Sequence, residues 1–194
     1  RLAGTIKVPA GLTIEYGGLY REQQASFREL LMALALAIVL VFVVLLIEFR
    51  SFAHPVAIVT GAILALAGVF AALWITGITL NVVSMVGMIM VVGIVAKNGI
   101  LMLDAVEDHL AAGETLSAAL VQSGRRRFRP VLMTSLAAIL GMLPLALALG
   151  SGAELLQPLA VSVIGGLAVA LVLSLVVTPS IYAMLRQRTR QEST

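Results

Sequence analysis

Five apolar runs dominate this sequence, at about residues 30–47, 55–75, 82–103, 131–149 and 159–185. A bilayer core of about 30 Å is crossed by about 20 helical residues. Each run is therefore long enough to span it, and none shows the dyad alternation of a membrane β-barrel. In lipid the backbone must satisfy its own hydrogen bonds, which leaves helices as the form these runs take. The expected fold is an all-α polytopic membrane bundle of five transmembrane helices. The 12% share of charged residues supports this reading, because soluble domains carry about 25%.

The loops orient the bundle. Arg50 follows the first run, Arg125, Arg126, Arg127 and Arg129 precede the fourth, and Arg186, Arg188 and Arg190 follow the fifth. The segments Thr76–Asn81 and Gly150–Pro158 carry no Lys or Arg. Positive loops stay in the cytoplasm, so the N-terminus is expected outside and the C-terminus inside. The net charge of +3 thus reports topology and not nucleic-acid binding. Trp74 and Tyr182 fall near opposite interfaces, as aromatic-belt residues do.

Residues 1–26 do not span. Val8 to Gly18 reads as a Pro/Gly-rich turn with a short strand, and Leu19 to Glu29 as a polar helix leading into the first span. Between the third and fourth runs, Gly113 marks a break and residues 115–123 read as an amphipathic surface helix ending at Gly124. Pro55 and Pro130 are expected at helix starts, Pro144 and Pro179 inside helices. Residues 187–194 form a cytoplasmic tail. The chain starts at Arg1 and has no signal-peptide pattern, so we expect a piece of a longer protein.

Lys97 is the anomaly. It stands inside the third run, seven residues before Asp104, or about 10 Å along a helix. A lysine at the centre of a span costs about 2.5–3.5 kcal/mol on insertion scales, and such residues mark ion or proton pathways. Thr134 lies five residues inside Arg129, about 7.5 Å along the next span, at a matching depth. A threonine hydroxyl accepts one ammonium hydrogen bond but leaves the charge uncompensated. No carboxylate here is placed deep in the membrane: Asp104 and Glu154 lie near ends, and Glu48 is beside Arg50. The acidic partner is therefore expected on helices outside this chain. Asn98 points about 100° away from Lys97 on a helix. Other features have plainer readings. The eight methionines read as core filler rather than a thioether metal path. His54 reads as a solvated loop residue. There is no cysteine, no G-x-S-x-G elbow and no H-E-x-x-H, which argues against an enzyme.

The stretch GIVAKNGILMLD from Gly93, RFRPVLMTSLAAILGMLPLAL from Arg127 and QPLAVSVIGGL from Gln157 resembles the resistance-nodulation-division (RND) efflux permeases. EYGGLYREQQASFRELL from Glu15 and EFRSFAHP from Glu48 resemble them too, so the likeness covers nearly the whole chain. It implies the C-terminal membrane half, spans eight to twelve of twelve, with residues 1–26 ending a periplasmic porter lobe. It implies a secondary transporter in the bacterial inner membrane, without cofactor, driven by the proton gradient. The implied proton relay places Lys97 against aspartates of the absent span four, with Thr134, Arg127 and Asn98 as further members. The implied partners are the N-terminal half of the same permease, two further copies in a homotrimer, a periplasmic adaptor and an outer-membrane channel. The Lys97–Asn98 pair resembles the drug-exporting branch, whereas Gly152 to Leu167 resembles the heavy-metal branch, so both substrate classes stay open. A non-exporting relative that senses lipid or translocates protein is the alternative.

Overall fold

The computed structural model describes the backbone of residues 18–191 and the side chains of residues 24–174 and 177–184. The turn and strand expected near Val8, and residues 192–194 of the tail, lie outside the described residues. Five helices form the described chain: α1 (Gly18–Phe49), α2 (Ala53–Thr76), α3 (Val82–Ala111), α4 (Leu116–Ala146) and α5 (Ala153–Gln191). Each contains a stretch long and apolar enough to cross a membrane.

Local signals set the ends. Asn81 caps α3 with a reciprocal capping box: its Oδ1 accepts from the Ser84 N–H at 2.8 Å, and the Ser84 Oγ accepts from the Asn81 N–H at 2.9 Å. Both bonds satisfy donors that a helix start leaves unpaired. Asn81→Ala is expected to lower stability by about 1 kcal/mol, read as a lower thermal midpoint of the purified protein. Gly77 ends α2 at φ 68°, where a side chain is strained, and its N–H closes onto the carbonyls of the last turn. Gly113, at φ 87°, breaks the chain between α3 and α4, and Thr115 caps α4.

Two expectations about α4 are corrected. The surface helix over 115–123 does not end at Gly124, and Pro130 does not start a separate span. Instead α4 runs unbroken from Leu116 to Ala146 with Pro130 and Pro144 inside it. Gly124 is tolerated in the helix because its position is packed only loosely, with Met102 Cε 3.6 Å from where a Cβ would stand. Pro130 removes one backbone donor and sits on the exposed polar part of α4. Pro55 stands in the first turn of α2, as expected of a proline at a helix start.

The helices divide into a centre and two flanks. Half or nearly half of the most apolar window is buried in α2, α3 and α5 (44%, 56% and 50%), against 11% in α1 and in α4. α5 packs against α2, α3 and α4; α1 touches α2 and α3. One apolar cluster joins Ala65, Val69, Met88, Val91, Val163 and Leu167, and a second gathers Leu45, Ile58, Ala96, Leu103 and Val106. Met85 and Met88 are buried in the first, as packing residues. The centre depends on close helix approach: a Cβ on Gly68 would stand 2.5 Å from the carbonyl oxygen of Gly165, and one on Gly166 2.5 Å from Val91 Cγ2.

Candidate functional site

α3 buries most of its circumference. Met85, Met88, Val92, Val95, Asn98, Gly99 and Met102 face the other helices. Its exposed residues form one stripe: Val86, Met90, Gly93, Lys97, Asp104, Asp108 and Ala111, spaced by three, four or seven. That spacing keeps them on a single helix face. α1 and α4 both touch α3 but do not touch each other, so they flank this stripe and leave it uncovered.

Lys97 is therefore exposed at the middle of an open face. The cleft around it, about 380 Å³, is lined by Leu40, Val41, Val44 and Leu45 of α1 and by Gly93, Ala96, Ile100 and Leu101 of α3. Every one of these neighbours is apolar. Among the described residues the ammonium makes no hydrogen bond and no ion pair. An ammonium with three donors and an apolar surround calls for an acceptor from beyond this face.

The other relay candidates are placed differently. Thr134 is exposed on α4, and its hydroxyl donates to the carbonyls of Pro130 (3.0 Å) and Val131 (3.1 Å) of its own helix. No hydrogen bond joins it to Lys97. Its lone pairs are still open to a donor. Asn98 is buried, on the inner side of α3, as the 100° step from Lys97 requires. Arg127 is half-buried near the start of the apolar part of α4, and its Nε is enclosed without a hydrogen-bond partner among the described residues.

A second polar group was not visible in the sequence. His54 was expected to be a solvated loop residue, but it lies in the first turn of α2 and is 4% exposed. Its Nε2 is 3.1 Å from Glu107 Oε1 on α3, and the same oxygen accepts the Tyr182 hydroxyl of α5 at 2.5 Å. Tyr182, expected at the interface belt, is 1% exposed and locked by this bond. His54 stands 53 residues from Glu107, and Tyr182 stands 75 from it, so no local pattern links them. Trp74, by contrast, is 85% exposed near the end of α2.

Residues 1–186 match the AcrB/AcrD/AcrF family. The chain is 38% identical over 188 residues to the nickel and cobalt resistance protein CnrA of Cupriavidus metallidurans, covering 97% of this chain and 18% of that protein. It is 37% identical over 191 residues to the nickel-cobalt-cadmium resistance protein NccA of Alcaligenes xylosoxydans xylosoxydans, covering 98% and 18%. Among solved structures, a heavy metal efflux pump superposes with a TM-score of 0.79 at 35% identity, over 95% of this chain and 18% of that one. A second crystal form of a heavy metal efflux pump gives 0.77 at 35% identity, over 93% and 18%. The chain thus spans about a fifth of the length of these relatives, which are transporters and not enzymes. Five apolar helices, a buried-centre bundle and a match over nearly the whole chain lead to one assignment: this is a membrane segment of the AcrB/AcrD/AcrF family, the RND efflux permeases.

Proposed function

We propose that the chain is the C-terminal membrane half of a proton-driven permease that exports divalent transition-metal cations. The observation that carries the reading is Lys97: a cation at mid-helix, in an apolar cleft, on the one face of α3 that α1 and α4 leave open. The N-terminal half of the same permease covers that face and brings the carboxylates. With a carboxylate ionised, the ion pair draws the two halves together. A proton that neutralises the carboxylate frees the ammonium to turn to another acceptor, and Thr134 lies at a suitable depth to accept it. The two arrangements form a bistable element that protonation biases. Arg127 and Asn98 complete the relay, Arg127 from the polar end of α4 and Asn98 by holding α3 against its inner neighbours.

The N-terminus lies outside and the C-terminus in the cytoplasm, as the arginine-bearing loops require. The permease sits in the bacterial inner membrane as a homotrimer with a periplasmic adaptor and an outer-membrane channel. The metal reading follows the relatives, which are named for nickel, cobalt and cadmium resistance or heavy-metal efflux. The Lys97–Asn98 pair, which resembles the drug-exporting branch, makes amphiphilic drugs the second reading.

Expression of the parent permease in a sensitive host tests both. Tolerance to nickel or cobalt is expected to rise several-fold while tolerance to cationic dyes is unchanged, and a protonophore is expected to remove the gain. Raised dye tolerance alone would replace the metal reading with the drug reading. Metal tolerance that persists with the proton gradient collapsed would overturn the proton-driven mechanism.

A further inference from the structure

Glu107 lies ten residues beyond Lys97 on α3, about 15 Å along the helix. There it ties α3 to two other helices. Its Oε1 accepts from Tyr182 of α5 and sits 3.1 Å from His54 Nε2 of α2. The Phe49 ring, at the end of α1, stacks flat on His54 with centroids 4.4 Å apart and planes 3° apart. The Tyr182 ring lies on the imidazole too, at 4.7 Å. Four helices therefore converge on one imidazole. A cavity of about 590 Å³, lined by Glu48, Ser51, Phe52, His54, Glu107 and Tyr182, opens at this end of the bundle. Among the described residues, the ionisable groups around His54 are Glu107 and Tyr182, with Glu48 at the end of α1 lining the same cavity. Arg50 follows in the exposed turn at φ 48°, and Asp108 follows Glu107 on the exposed stripe.

The chemistry of this join depends on one proton. Neutral His54 donates an ordinary hydrogen bond through Nε2–H to the carboxylate. Protonated His54 donates a charge-assisted one, roughly twice as strong. A buried imidazolium needs a counter-charge, and Glu107 supplies it at hydrogen-bond distance. Tyr182 donates to the same oxygen and aims it at His54. Protonation of His54 thus tightens the attachment of α3 to α2, and loss of the proton loosens it.

We infer that His54, Glu107 and Tyr182 form a proton-controlled latch on the Lys97 helix, closed when His54 is protonated and released when it is neutral. All three are positioning residues: they act on Lys97 through the placement of α3. The consequence for transport rests on the relay reading above. An acidified cytoplasm closes the latch and holds α3 still; as the cytoplasmic pH rises, α3 is freed for the shift that each transport cycle needs.

The test uses the full-length permease in proteoliposomes, with nickel as substrate and a fixed pH difference across the membrane. The cytoplasmic-side pH is varied through about 5 to 8, where imidazoles titrate. The unmodified permease is expected to speed up about fivefold across this window. His54→Gln keeps a donor for Glu107 but cannot titrate, and is expected to flatten the change to less than about twofold. A wild-type profile in an assembled His54→Gln permease overturns the latch. Should that variant not assemble, Tyr182→Phe gives the decision: without the phenol the carboxylate is no longer aimed at the imidazole, so the fivefold change is expected to shrink to less than about twofold. A wild-type profile in an assembled Tyr182→Phe permease overturns the latch as well. The relay is judged separately through Lys97→Met: active Lys97→Met sinks the relay whatever His54 does, while inactive Lys97→Met with an unchanged His54→Gln profile sinks the latch alone.

Discussion

Lys97→Met is expected to reduce proton-coupled export by the parent permease to background while leaving its assembly intact. The side chain keeps nearly the same length and fills the same apolar cleft of Leu40, Val41, Val44 and Ile100. What it loses is the charge. A neutral thioether neither pairs with a carboxylate nor changes partner when that carboxylate takes a proton. Removing a lysine from mid-span also makes the helix easier to insert, by about 2.5–3.5 kcal/mol on insertion scales. Helix insertion and transport should therefore move in opposite directions, which a general packing defect does not produce. Metal transport in proteoliposomes, alongside the amount of trimer recovered, measures both. Lys97→Arg separates charge from chemistry: it keeps a cation, but a planar guanidinium with a fixed fork of donors replaces a compact ammonium, so assembly should persist with turnover strongly reduced. Full transport by Lys97→Met would remove the lysine from the mechanism.

Gly165→Val is expected to prevent the bundle from packing. A Cβ at Gly165 would collide with the Ala72 Cβ and stand 2.5 Å from the carbonyl oxygen of Gly68, and the reverse collision holds for Gly68. Both obstacles are backbone or methyl groups close to the chain, so no rotamer change relieves them. α2 and α5 would have to separate, and this contact organises the buried centre of the bundle. Overpacking typically costs about 1–3 kcal/mol for added methylenes, and a β-branched residue at a backbone contact lies at or beyond the upper end. Gly141→Ala is the control. Nothing lies within 4 Å of its Cβ position, so its effect should stay within about 1 kcal/mol. Expression level and thermal unfolding of the purified permease read both variants. A Gly165→Val permease that unfolds at the wild-type temperature would show that α2 and α5 are not held by this contact.

Several features were legible from residues alone. Hydropathy located five helices, because a run of apolar residues in lipid has no alternative to intrahelical hydrogen bonding. Gly113, at φ 87°, broke the chain where glycine suggested. Lys97 announced itself by its cost, and the 100° step to Asn98 separated an exposed residue from a buried one. The end of the polar surface helix at Gly124 and the helix start at Pro130 were misread. Glycine and proline signal breaks in water, but α4 continues through both into its apolar half.

The sequence by itself determined how many apolar spans form and which of them carries a lysine at its middle. Those properties are local: they depend on the hydropathy of a run and on caps such as Asn81 with Ser84. Only the tertiary structure decided which way each helix faces. A membrane helix is apolar on all sides, so its periodicity does not separate a lipid face from a protein face. Packing resolved that for α3: Met85, Gly87, Met88, Gly99 and Met102 turned inward, Lys97 turned to an open face, and Thr134 stayed bonded to its own helix. Packing also brought His54, Glu107 and Tyr182 from three helices onto one carboxylate oxygen. Such a contact is written in the approach of helices distant in sequence, and no run of neighbouring residues encodes it.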